Sequence, residues 1–154
     1  MLPNMGPEGV RLSPIRRDEQ VVILSIHPRW VQLILSGEKT IELRRRGLPA
    51  RHLGGEVFIY ETRPTAALVA TCKITEVIRC SPEDLWSQVG DASAVPRNLF
   101  EHYFDGCKIG FGLKINAVSP LPKAVPLTLL REKLGWHPPV YWGTLPKAKL
   151  SDLL

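Results

Sequence analysis

Between Val21 and Arg45 the apolar periodicity passes from strand to helix and back to strand, and two punctuation points fix where it changes. Val21 to Ile26 is a continuous apolar, β-branched run, the pattern of a buried strand. His27-Pro28 ends it. Proline has no N–H to give to a strand ladder but fits the first turn of a helix, so Pro28 opens one. Trp30, Leu33 and Ile34 recur at helical spacing and supply that helix with a core face. Gly37 stops it, because the residue after a helix often needs positive φ. From Lys39 to Arg45 strand alternation returns, with Ile41 and Leu43 on an apolar face and Glu42 and Arg44 on a charged one. Lys39 falls at the mouth of this strand, where alternation does not yet fix its face.

The remaining chain reads as strands with short helices between them. Arg45 to Leu53 is a loop. Gly55 to Tyr60 and Ala67 to Cys80 are strands. Ser81 caps a helix through Val89, with Asp84 in its first turn. Pro96 opens a short helix through Tyr103, and Asp105-Gly106 marks a turn. Lys108 to Ala117 is a late strand. Its Gly110-Phe111-Gly112 interruption reads as a bulge or a close backbone approach rather than a phosphate loop. Leu127 to Leu134 forms a last helix, stopped by Gly135. The stretch from Trp136 to Pro146 is rich in proline and aromatics and is expected to pack irregularly. Its Trp136, Tyr141 and Trp142 either cover an open barrel end or form a second contact patch. Long crossover helices are scarce, so the expected fold is α+β: a small mixed, partly open β-barrel with peripheral helices. Residues 1–20 are expected to be a flexible lead-in, and 21–154 a single domain with a Pro- and aromatic-rich C-terminal extension.

Hydrophobic residues make up 44% of the 154-residue chain, enough for one core without disulfide staples. No run of about 18 apolar residues is present, so no membrane span or membrane partner is expected. The first 20 residues lack the apolar region of a secretory leader. The three cysteines, Cys72, Cys80 and Cys107, have no Cys-x-x-Cys spacing, which argues against a disulfide framework or a zinc site. Reduced thiols and a cytoplasmic location are expected. Cys72 and Cys80 lie in strand-like stretches and read as small core fillers. Net charge is +5, and it is local: six cations face two carboxylates between His27 and Arg51. An anionic partner is expected near that segment.

The Gly37-x-Lys39-x-x-Glu42-x-Arg44 spacing, preceded by Ser25-Ile26-His27-Pro28, resembles the signature of the ASCH domain, a member of the PUA-like superfamily. The likeness is specific over residues 21–46 and vaguer through Ile115. It implies a compact β-barrel flanked by helices, a cleft beside the first helix, and RNA-linked or nucleotide-linked functions. In some members it implies hydrolysis.

The residues themselves suit an anionic, base-bearing ligand. Lys39 is a point charge for phosphate, and Arg44 a fork for phosphate or a base edge. Glu42 either holds that guanidinium or accepts from an exocyclic amine. Trp30 is either core or a stacking platform. Arg44-Arg45-Arg46 is either a basic contact or a solvated loop. Arg29 adds a cation on the first helix, and His27 is either a cap or a contact. Tyr60, Thr62 and Arg63, at a strand end, are candidates to line the same cleft. The leading expectation is a module that binds RNA, DNA or a modified nucleotide, RNA before the others, without a cofactor. Two hydrolytic alternatives stand beside it.

The first, implied by the ASCH resemblance, is an amidohydrolase acting on an acylated nucleobase or nucleoside, which in some small members uses a lysine and a threonine of the motif with an acidic residue. Lys39 matches the lysine of that pattern, but Glu42 stands where its threonine would be. Thr40 is out of register, and Asp91 is the carboxylate nearest the expected acid. The second is a ribonuclease using Lys39 and Glu42, with His27 and His52 nearby in the chain. Because no metal-ligand spacing is visible, that activity is expected to be metal-independent.

Overall fold

The computed structural model describes residues 19–154. The flexible lead-in expected for residues 1–20 therefore falls mostly outside the described residues. Gln20 is already strand.

Strand β1 (Gln20–Ile26) leads through His27 into helix α1 (Pro28–Ser36), and strand β2 (Ile41–Arg44) follows. The local chemistry is the expected one. The His27 imidazole Nδ1 accepts the Arg29 N–H at 3.2 Å, Pro28 occupies the first turn, and Gly37 closes the helix at φ +85°. A residue with a Cβ at Gly37 would be held in the left-handed region at a cost of roughly 1–2 kcal/mol. The buried face of α1 is Val31 and Ile34, while Trp30 and Leu33 are only half-buried. This corrects the expected core face: its axis lies about one residue round, which turns the Trp30 ring to the edge of the core.

Strands β3 (Glu56–Glu61), β4 (Ala67–Cys80), β5 (Gly110–Pro126) and β6 (Trp142–Pro146) complete one six-stranded sheet in the order β2-β5-β4-β3-β1-β6. β1 runs parallel to β3 and antiparallel to β6, and the other pairs are antiparallel. Helices α2 (Pro82–Ser93), α3 (Arg97–Tyr103), α4 (Leu127–Leu134) and α5 (Lys147–Ser151) lie around it. The sheet does not close, so the fold is the expected α+β, partly open barrel with peripheral helices.

Several boundaries differ from expectation. β2 starts at Ile41, leaving Lys39 before the strand. β5 runs on to Pro126, with repeated register shifts against β4 that keep so long a pair curled. The loop after Arg46 contains a 3-10 turn at Ala50–His52. The stretch expected to be irregular holds β6, because β1 offers it a free edge. Gly110 and Gly112 pair in continuous register with Cys80 and Ile78, so they are no bulge. A Cβ at Gly110 would stand 2.8 Å from the Phe104 ring, so the glycine serves close approach.

Three apolar clusters share the sheet. One joins α1 to β1, β3 and β4; one packs α4, α5 and Trp136 on Phe58, Tyr60 and Leu68; one seats Ile41 and Leu43 against Leu85, Val89, Phe100 and Phe104 of α2, α3 and the residue after it. Each fully buried Leu, Ile or Phe contributes about 1.5–3 kcal/mol. Trp136 and Trp142 do cover apolar surface, meeting Tyr60 and His52 edge-on at 5.3 Å each.

Candidate functional site

β2 and β6 are the two edges of the open sheet, and a cleft of about 510 Å³ sits where they fail to meet. Its floor is Lys39, Glu42, Arg44 and the end of β1. One wall is α1, through His27 and Trp30. A second is Val95 and α3, with Leu99, Phe100, His102 and Tyr103. A third is the approach to β6, with Val140 and Tyr141.

Glu42 and Arg44 alternate with Ile41 and Leu43 as the sequence implies, but the charged face is not solvated. Both are buried, because the third wall covers them. A buried charge is tolerated only when paired and hydrogen-bonded, and this set meets that condition. Arg44 Nη2 donates to Glu42 Oε2 at 2.9 Å and to the Ser25 carbonyl at 2.7 Å, and Nη1 donates to the Tyr141 carbonyl at 3.0 Å. The guanidinium thus ties β2 to β1 and to the residue that precedes β6. It bridges the gap that backbone pairing leaves open. The bidentate phosphate fork read from sequence is occupied by the protein's own carbonyls.

Lys39 is 2% exposed. Its Nζ donates to the Ser93 carbonyl at 2.7 Å and lies 3.7 Å from Glu42 Oε1 and 5.4 Å from the Trp30 ring centroid. Ser93 is the last residue of α2, where the helix dipole favours a cation. Burial lowers the Lys39 pKa, nearby Glu42 opposes that, and Arg44 adds to it. Glu42 Oε1 also accepts the Leu43 N–H at 3.2 Å. The carboxylate is therefore committed, and an exocyclic amine would have to displace one of its partners. Burial raises the Tyr103 phenol, so it stays a protonated donor. The Ser25 hydroxyl, at the floor, is buried without a hydrogen-bond partner among the described residues.

Of the candidates read from sequence, the structure brings His27, Trp30, Lys39, Glu42, Arg44 and Arg45 to the cleft. Arg29 and Arg46 do not line it but stack on rings that do, 4.6 Å over Trp30 and 4.7 Å over Tyr141. Tyr60, Thr62 and Arg63 are not brought there. Tyr60 is buried in the α4 cluster on the other side of the sheet, Thr62 is half-buried and Arg63 exposed. Thr40, Asp91 and His52 are also absent from the lining. Sequence reading missed Ser25, Val95 and the α3 residues. Ser25 carried a faint signal, as the polar residue inside an apolar strand. Among the described residues no group of three or more His, Cys, Asp or Glu side chains is placed to hold a metal ion, and no helix is long and apolar enough to cross a membrane.

An incompletely closed mixed sheet with a basic, aromatic cleft at its opening defines a small α+β domain with a partly open barrel. Residues 24–119 match the ASCH domain family, and the chain belongs to it. An "ASCH domain-containing ribonuclease" of Zymomonas mobilis is 26% identical over 138 residues, spanning 89% of this chain and 92% of that protein. The crystal structure of ASCH from Zymomonas mobilis shares the fold with a TM-score of 0.79 at 27% identity, over 86% of this chain and 92% of that one. The N-terminal domain of Staphylothermus marinus McrB, 10% identical with a TM-score of 0.53 over 86% and 92% of the two chains, shares the fold alone. Val140 and Tyr141, which complete the cleft, lie beyond the matched family segment.

Proposed function

We propose that this ASCH domain acts on RNA by taking one unstacked nucleotide into the cleft. The observation that carries the reading is the make-up of the cleft. Trp30, Phe100, Tyr103 and Tyr141 offer aromatic walls over a floor where Lys39 and Arg44 outnumber the single carboxylate Glu42, with exposed Arg45 beside the opening. Its volume falls within the range of about 300–1,000 Å³ common for small-ligand sites. That suits a base and its sugar rather than a length of duplex. Base–aromatic stacking supplies about 1–3 kcal/mol per base. The relative named a ribonuclease supports RNA over DNA as the strand. The test is fluorescence anisotropy with labelled single-stranded RNA and DNA of the same sequence. Binding that weakens with salt and prefers RNA is expected, and no binding to RNA at low salt sinks the proposal.

A second reading, RNA cleavage, is favoured by the buried Lys39–Glu42 contact. An ammonium whose pKa is lowered by burial, beside a carboxylate, is suited to proton transfer. On this reading Lys39→Met abolishes cleavage while leaving binding measurable. RNA cleaved at an unchanged rate by that variant removes Lys39 from the chemistry. The amidohydrolase alternative gains no support from geometry, since neither Thr40 nor Asp91 lines the cleft.

A further inference from the structure

Three aromatic rings lining the cleft each carry an arginine. Arg29 lies 4.6 Å over Trp30 on α1, Arg45 4.4 Å over Tyr103 at the end of α3, and Arg46 4.7 Å over Tyr141 ahead of β6. All three arginines are exposed. None forms a salt bridge among the described residues. They differ in this from Arg44, which donates to Ser25, Tyr141 and Glu42, although Arg45 also donates its Nε–H to the Tyr103 carbonyl at 2.6 Å. The three rings belong to separate elements, so the cations are distributed around the opening instead of forming one patch. A guanidinium resting on a ring has less freedom to lose, and its N–H edge remains available to an anion.

That distribution selects among nucleotide ligands. A free nucleoside brings no charge to the rim, and a mononucleotide brings phosphate to one side only. A nucleotide within a strand carries a phosphate on each side of its sugar, and the chain leaves the cleft in two directions. Resting on the reading of the cleft as an RNA site, we infer that its ligand is an internal nucleotide of a single strand. The base enters the cleft, and the flanking phosphates are held by the rim arginines, Arg29 on the α1 side and Arg46 on the Tyr141 side. Free nucleosides and nucleotides are then poor ligands, and strand ends are weaker than strand interiors.

The test uses a fluorescein-labelled octaribonucleotide and the whole chain, with competitors added. Nucleoside 3′,5′-bisphosphates are expected to displace it at roughly tenfold lower concentration than the matching 5′-monophosphates, and nucleosides hardly at all. Arg29→Gln and Arg46→Gln, both at exposed positions, are each expected to reduce the slope of log affinity against log salt by about 0.7, the value for one phosphate contact on a single strand. Monophosphates competing as well as bisphosphates, or both variants keeping the wild-type slope, would overturn the inference while the cleft remained an RNA site. Failure of the wild-type chain to bind the octamer at low salt overturns the underlying reading itself.

Discussion

On the α4 side of the sheet, Phe58, Leu68, Leu130 and Trp136 bury apolar surface against one another, and none of the buried charged side chains lies among them. On the cleft side, Lys39, Glu42 and Arg44 are buried as a set. The first region needs only shape and volume. The second needs every donor and acceptor matched, because removing one member strands the others in a low dielectric. The dry side is therefore expected to carry stability alone, and the cleft side to trade some stability for a poised cationic floor.

Arg44→Met is the hardest test of that contrast. It leaves Glu42 without its strongest partner and removes the tie from β2 to Ser25 and Tyr141. Urea unfolding should show a loss of about 3–5 kcal/mol, together with loss of strand binding as the third wall comes free. Replacing the whole set with apolar residues (Lys39→Met, Glu42→Leu, Arg44→Met) should restore most of the stability but not the binding. A single variant as stable as wild type would show that the ion cluster does not close the barrel.

The reverse dissociation is expected on the dry side. Leu130 is fully buried in the α4 cluster, and Leu130→Ala should cost about 2–5 kcal/mol through lost transfer energy and a cavity. Affinity for the octaribonucleotide, measured well below the unfolding temperature, should be unchanged. An affinity loss as large as that of Arg44→Met would mean the two regions are coupled through the sheet and the contrast is false.

How much of this arrangement was legible in the sequence follows from how far apart its parts lie along the chain. The β1–α1–β2 unit was readable because Pro28 and Gly37 are local signals acting on their neighbours. The pairing of Glu42 with Arg44 was readable from alternation. Their burial was not, because what covers them is the Tyr141 segment, 97 residues from Arg44 in the chain. β6 was hidden for the same reason: its short, proline-bounded run becomes a strand only because β1 presents an edge. The position of Tyr60 at a strand end makes it a candidate for the cleft, yet its side chain joins the opposite cluster. Strand-end position gives height along a sheet but not side. The helix through Tyr103 was visible, while nothing in its own residues said that it docks beside β2.

The smallest expected effects come from two buried groups that feel Glu42 and respond to alkali in opposite senses. Burial, with Glu42 adding to it, pushes the Cys72 thiol from 9.0 up to about 12. Below pH 9 the thiol is protonated whether the chain is folded or not, and its contribution is whole. Above that the unfolded chain ionises and the folded one does not. Stability then falls by up to roughly 1.4 kcal/mol per pH unit until pH approaches the folded value. Lys39 runs the other way. Its pKa is lowered from 10.5 by burial, so its contribution is whole above 10.5 and is lost as pH falls through the folded value. Urea midpoints from pH 8 to 10 should therefore decline less steeply for Cys72→Ala than for wild type, and more steeply for Lys39→Met. Parallel curves for all three would show that neither group titrates differently on folding. Because Glu42 raises both pKa values, Glu42→Gln should narrow the thiol's window and widen that of the ammonium. Opposite changes from one substitution would locate the shared charge at the floor of the cleft.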